Sequence, residues 1–123
     1  MGLTHVTVLI NNLKKDGKPY ESQFLVDTGA IDCLAPGNAL EAAGIEIEGK
    51  DVYELANGKV VQYSYGFARV SFMGAETVTQ IIFGENDCEP ILGVTALENT
   101  GIAVDPVTRS SRKMSAKPLK IIG

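Results

Sequence analysis

Phe24-Leu25-Val26-Asp27-Thr28-Gly29-Ala30 is an apolar run that ends on a carboxylate and then turns. Large apolar side chains leading into one acid read as a buried strand that delivers the carboxyl at its end. Gly29 then permits a tight turn that a side chain would obstruct. The flanking sequence continues in the same style. Upstream, Thr4 to Asn11 alternates around Val6, Val8 and Ile10, and a polar stretch from Asn12 to Pro19, with Asp16-Gly17, precedes Tyr20 to Asp27. That pattern predicts a hairpin with Asp27 at its far end.

Downstream, Ile31 to Leu34 reads as a strand, and Pro36 to Ala43 as a short helical turn ended by Gly44. Val52 to Ala56 and Val60 to Tyr65 flank Asn57-Gly58, a strong hairpin signal. Strands continue through Gly66 to Met73 and Glu76 to Phe83, with Gly74 between them. A loop from Gly84 to Pro90 leads into Ile91-Leu92-Gly93, a short helix over Val94 to Asn99, and a strand over Ile102 to Val104.

The chain has 123 residues, 45% of them hydrophobic and 21% charged, enough for one domain with one core. No apolar run approaches the roughly 20 residues of a spanning helix. The start Met-Gly-Leu-Thr-His-Val carries no basic cluster before an apolar core, and Val6 stands where a myristoylation motif wants Ser or Thr. A cytoplasmic protein with no membrane partner is the expectation. Cys33 and Cys88 have no CxxC spacing, so reduced thiols are expected. His5 is the one histidine, which leaves no His and Cys ligand set for zinc and no His-activated nucleophile.

Charge is unevenly placed. Residues 1–106 hold all 15 acids and six of the 11 bases, a net −9, while Arg109, Arg112, Lys113, Lys117 and Lys120 make the remainder +5. An acidic body with no tryptophan argues against a nucleic-acid partner, because phosphate affinity is mostly cation-driven.

The residues themselves define a possible chemistry. If a two-fold axis brings a second Asp27 within hydrogen-bond distance, the two carboxyls cannot both ionise cheaply, and the pair holds one proton. One member is then a base and the other an acid, sufficient to activate water without a metal, cofactor or covalent intermediate.

The Asp27-Thr28-Gly29-Ala30 segment, joined to Ile91-Leu92-Gly93 ahead of a short helix, resembles the retropepsin-like aspartic peptidases over residues 4 to 105. The resemblance implies an all-β, retropepsin-like acid-protease barrel with one short helix in the C-terminal half, spanning residues 1–106. It implies a homodimeric endopeptidase acting on peptide or protein substrates, with Asp27 catalytic and Thr28, Gly29 and Ala30 supporting it. Thr28 would bond across the dimer axis, and Ile91, Leu92 and Gly93 would form the psi-loop. The Val52 to Tyr65 hairpin would be a flap with Ala56, Asn57, Gly58 and Lys59 near its tip; the same hairpin also reads as a plain sheet element. Asp32, Cys88, Glu89 and Ile91 are placed at the substrate pocket.

Two departures matter. Retroviral members commonly pair an acid after Asp-Thr-Gly-Ala with an arginine near the helix start, where this chain has Ile31 and Val94. Replacing both charges by apolar groups can be neutral, whereas losing one would strand the other. The flap also lacks a glycine-rich tip. A peptide- or protein-binding homodimer without catalysis is the alternative on the same fold. Glu85, Asp87, Glu89 and Asp32 read either as solvated acids or as a field favouring basic or neutral peptides. Such a field would favour the protonated pair, predicting activity that fades toward neutral pH. Residues 107–123 read either as an added interface strand through Pro118 to Ile122 or as a basic tail docked on the acidic body; Asp105 reads as structural.

Overall fold

The computed structural model describes residues 4–104 and 111–113. Strand β1 (His5–Asn11) pairs antiparallel with β2 (Tyr20–Val26), His5 opposite Leu25 and Ile10 opposite Tyr20. The period-two pattern places Val8, Ile10 and Phe24 wholly inside. Asn12 organises the connecting turn: its side-chain oxygen accepts the Asp16 N–H at 3.1 Å and its carbonyl accepts that of Lys15 at 3.1 Å.

After the Asp27 loop come β3 (Cys33–Pro36) and α1 (Gly37–Ala42). The strand starts two residues later than the alternation predicts, because the carbonyl of Ile31 is taken by a helix N–H instead of a strand partner. The helix buries Leu40 and ends as the sequence predicts: Gly44 has φ of 82°, its N–H reaches Glu41 O, and Ile45 N–H reaches Leu40 O. These two hydrogen bonds satisfy carbonyls of the last turn, and Leu40 and Ile45 both belong to the buried core.

A hairpin follows, β4 (Gly49–Glu54) against β5 (Val60–Phe72), and β5 then pairs with β6 (Ala75–Gly84). The segments Val60 to Tyr65 and Gly66 to Met73, read separately in the sequence, are one 13-residue strand. Gly66 within it lets the Ile45–Glu46 segment lie against the strand, because a β-carbon there would collide with the carbonyl of Glu46. The chain closes with β7 (Ile91–Leu92), α2 (Val94–Thr100), and β8 (Ile102–Val104) paired with β9 (Ser111–Lys113). Asp105 and Pro118 to Ile122 lie outside the described residues.

The main sheet runs β1-β2-β7-β3-β6-β5-β4, and a further β1–β5 pairing joins β1 to β5. The result is a closed, barrel-like all-β ring from which β4 projects. Inside it, Val8, Ile10, Phe24, Val70, Ile81 and Leu92 are fully buried. The late strand β7 enters between the two early ones, parallel to β2 and antiparallel to β3. That insertion positions everything in the site. No helix among the described residues is long and apolar enough to cross a membrane.

Candidate active site

Asp27 follows the last residue of β2, and its backbone is held on both sides. Its N–H donates to Leu92 O at 3.1 Å and its carbonyl accepts the Ala30 N–H at 3.1 Å, which closes the Asp27–Ala30 turn. One carboxylate oxygen accepts the Gly29 N–H at 2.9 Å. A β-carbon on Gly29 would stand 3.2 Å from that oxygen, so the backbone comes close to the carboxyl because there is no side chain. Asp27 is half-buried, while Thr28 and Gly29 are exposed at the tip of the loop.

The turn is clamped from behind by α2. Val94 N–H donates to Ala30 O at 2.7 Å and Thr95 N–H to Ile31 O at 3.1 Å, so two free donors of the helix start are spent on the loop. Gly93 makes this approach possible. A β-carbon there would lie 2.5 Å from Asp32 O and 2.6 Å from Ile31 O. Its φ of −84° is ordinary, so the glycine is demanded by space and not by backbone conformation.

In front of Asp27 is a cleft of about 740 Å³. Its floor includes Leu34, Ile82 and Ile91, cross-strand neighbours on β3, β6 and β7. Its roof is the β4–β5 hairpin, contributing Val52 through Ala56 and Tyr63. The hairpin turn is a Leu55–Gly58 turn with Gly58 N–H on Leu55 O at 2.8 Å, followed by Gly58 at φ of 84°. Asn57 steadies it by accepting the Lys59 N–H at 2.9 Å. The Asn57-Gly58 pair thus builds a three-residue loop with a bulge instead of a two-residue turn.

Of the residues placed at the site from sequence, Asp27, Gly29, Ala30, Asp32, Ala56 and Ile91 line this cleft. Thr28 sits on the same turn, and Leu92 and Gly93 lie behind it as supports. Asn57, Gly58 and Lys59 form the tip beyond the cleft wall. Cys88 and Glu89 lie elsewhere. Glu89 bonds His5 Nε2 at 3.0 Å, and Cys88 packs where a β-carbon on Gly84 would come within 2.8 Å of its sulfur. Glu85 borders a shallow depression with Lys50 and Ser64. Sequence reasoning missed Leu34, Tyr63 and Ile82 as lining residues and Glu54 as a cleft acid. The strand register, once known, would have found the first and third.

Burial lifts the Asp32 carboxyl above its ordinary value, and Asp51 on the roof strand lifts it further. Among the described residues no lysine, arginine or histidine pairs with it. The Cys33 thiol behind it is pushed up to about 11, chiefly by burial, against a lowering bond to the Gly93 backbone.

No family model matches the chain, and no curated protein matches it in sequence. Solved structures do match. A retroviral protease-like domain of Ddi1 from Leishmania major is 13% identical, with a TM-score of 0.59 over 94% of this chain and 91% of that one. A retropepsin-like aspartic protease from Rickettsia conorii is 18% identical, with a TM-score of 0.57 over 85% of this chain and 77% of that one. The protease of Simian Foamy Virus (mac) is 13% identical, with a TM-score of 0.54 over 76% of this chain and 91% of that one. With its inserted β7, closed ring and hairpin roof, the chain has the fold of the retropepsin-like aspartic proteases.

Proposed function

We propose that the protein is an aspartic endopeptidase that works as a homodimer, each subunit contributing one Asp27. The observation that carries this reading is the placement of Asp27: fixed by Leu92 O and the Gly29 N–H, on the floor of a roofed, mainly apolar cleft. Exposure of Thr28 and Gly29 at the loop tip supports the dimer, since a second copy meeting there brings the two carboxyls together.

In that assembly the pair shares one proton. The ionised carboxyl takes a proton from water, whose oxygen bonds to the peptide carbonyl carbon. The protonated carboxyl gives its proton to the carbonyl oxygen. Collapse of this adduct breaks the C–N bond as one carboxyl gives its proton to the amine nitrogen and the other takes a proton from a hydroxyl of the adduct, which leaves the pair again with one proton. Closure of the Val52–Tyr65 hairpin excludes water and orients the scissile bond. Cleavage of a mixed peptide library, read by mass spectrometry, tests the reading. Wild type is expected to cut most strongly in acid, and Asp27→Asn to lose activity while still binding peptide. Sedimentation should give twice the chain mass. A stable monomer, or cleavage that survives Asp27→Asn, refutes the mechanism, and binding without cleavage by wild type makes the protein a binding module.

A further inference from the structure

Strand β4 is held along one side, by its ladder with β5. Among the described residues one hydrogen bond reaches it from outside the hairpin: Gln80 Nε2 on β6 donates to the Tyr53 hydroxyl oxygen at 3.3 Å. The strand register defines what this bond spans. Tyr53 stands opposite Val61 on β5, whereas Gln80 stands opposite Phe67, six residues further along the same strand (67 − 61). Six residues of extended strand cover about 20 Å, more than a phenol and an amide side chain can bridge. Strand β5 therefore bends, and the hairpin lies over the face of β6 that carries Gln80 and Ile82. The bond crosses from roof to floor instead of running along the sheet.

Packing holds the phenol ring in the same place. Its centroid lies 6.3 Å from that of Tyr63, with the planes at 37°, and both rings line the cleft together with Ile82. Tyr53 and Gln80 are half-buried, so water competes less for their bond than it does at an open surface.

We propose that Tyr53 is a positioning residue whose hydroxyl, bonded to Gln80 across the cleft, latches the hairpin roof at a fixed height above Asp27. A peptide then meets a roof that is already in place, and less ordering is left for binding to supply. The effect on peptide rests on the peptide-cleft reading. The latch itself is a property of the roof and is measurable without substrate.

The test reads roof height directly. Nitroxide labels at Lys59→Cys, exposed near the hairpin tip, and Val78→Cys, 45% exposed on β6, are placed in the full-length chain carrying Cys88→Ser, where the buried Cys33 stays unlabelled. Labelled chain is diluted into unlabelled chain, so that double electron–electron resonance reads distances within one chain. Tyr53→Phe and Gln80→Met each remove the bond while keeping the shape of the side chain. Each is expected to shift the distance distribution to longer and broader values, and the double variant to match the single ones, because all three break one bond. An unchanged distribution in either single variant overturns the proposal, as does a double variant that opens further than both. Peptide affinity, measured by fluorescence polarisation in the Asp27→Asn background, is expected to fall roughly two- to fivefold in each, the equivalent of one modest hydrogen bond. In the Asp27 protein the same loss should fall on KM; a loss confined to kcat overturns the positioning role. Distances that shift as expected in a protein that cuts no peptide support the latch and sink the peptidase reading, and cleavage with distances unmoved does the reverse.

Discussion

Gly93→Ala isolates what holds the Asp27 turn together. The substitution adds one methyl group at a backbone whose φ of −84° any residue adopts, so no conformational penalty applies. The methyl carbon would arrive 2.5 Å from Asp32 O, 2.6 Å from Asp32 C and 2.6 Å from Ile31 O. All three are main-chain atoms and cannot rotate aside. Either β7 retreats or the 31–32 segment does, and each movement stretches the bonds from Val94 N–H to Ala30 O and Thr95 N–H to Ile31 O. Overpacking of this kind costs about 1–3 kcal/mol, and weakening two hydrogen bonds adds roughly 1–2 kcal/mol. A loss of about 2–5 kcal/mol follows. The matched control is Gly58→Ala, where nothing lies within 4 Å but φ is +84°. That change costs about 1 kcal/mol through the backbone alone. Urea unfolding at fixed protein concentration compares the two. A Gly93→Ala loss below about 0.5 kcal/mol, or one no larger than that of Gly58→Ala, would refute the account of the clamp.

Asp32 gives a pH signature with a defined sign. Its folded pKa lies above 3.8, so the folded chain favours the protonated form. That stabilisation is complete below pH 3.8 and is lost as pH rises through the folded value. The stability of Asp32→Asn relative to wild type should therefore grow across that window; a constant difference from pH 3 to 7 would contradict the assignment. The two thiols should separate in a disulfide-exchange assay. Cys88, half-buried, reacts first, while Cys33, 1% exposed and held up near 11, reacts only on unfolding. Simultaneous labelling of both in the native state would be the wrong outcome. Glu89→Gln removes only an exposed contact to His5 and should change stability by less than about 1 kcal/mol, without altering peptide selectivity.

The parts of this fold that the sequence discloses are those fixed by local rules. Alternation around Val8 and Ile10 marks β1, Gly44 marks the end of α1, and the apolar run into Asp27 marks the acid's place on a strand end. What needs tertiary pairing is hidden. Nothing in Ala30-Ile31 announces that its carbonyls face a helix start instead of a strand, so β3 begins late. The cleft shows the same division. Asp27 and Ile91 are visible as motif residues, whereas Leu34 and Ile82 become neighbours only through registers set between strands distant in sequence, and Tyr63 reaches the cleft from the roof hairpin. Glu85, Asp87 and Glu89 are acids near Ile91 in the chain but not at the cleft, because proximity along a loop does not fix the direction it faces.

The long strand β5 belongs to two structures at once. From Ser64 to Phe72 it is bonded to β6 within the ring, while from Val60 to Tyr63 its strand partner among the described residues is β4 alone. The outer portion is therefore a cantilever whose root is set at Tyr63–Ser64, and its bending is resisted mainly there. Mutations at that root would set how wide the cleft gapes, and one of its two residues, Tyr63, also lines it.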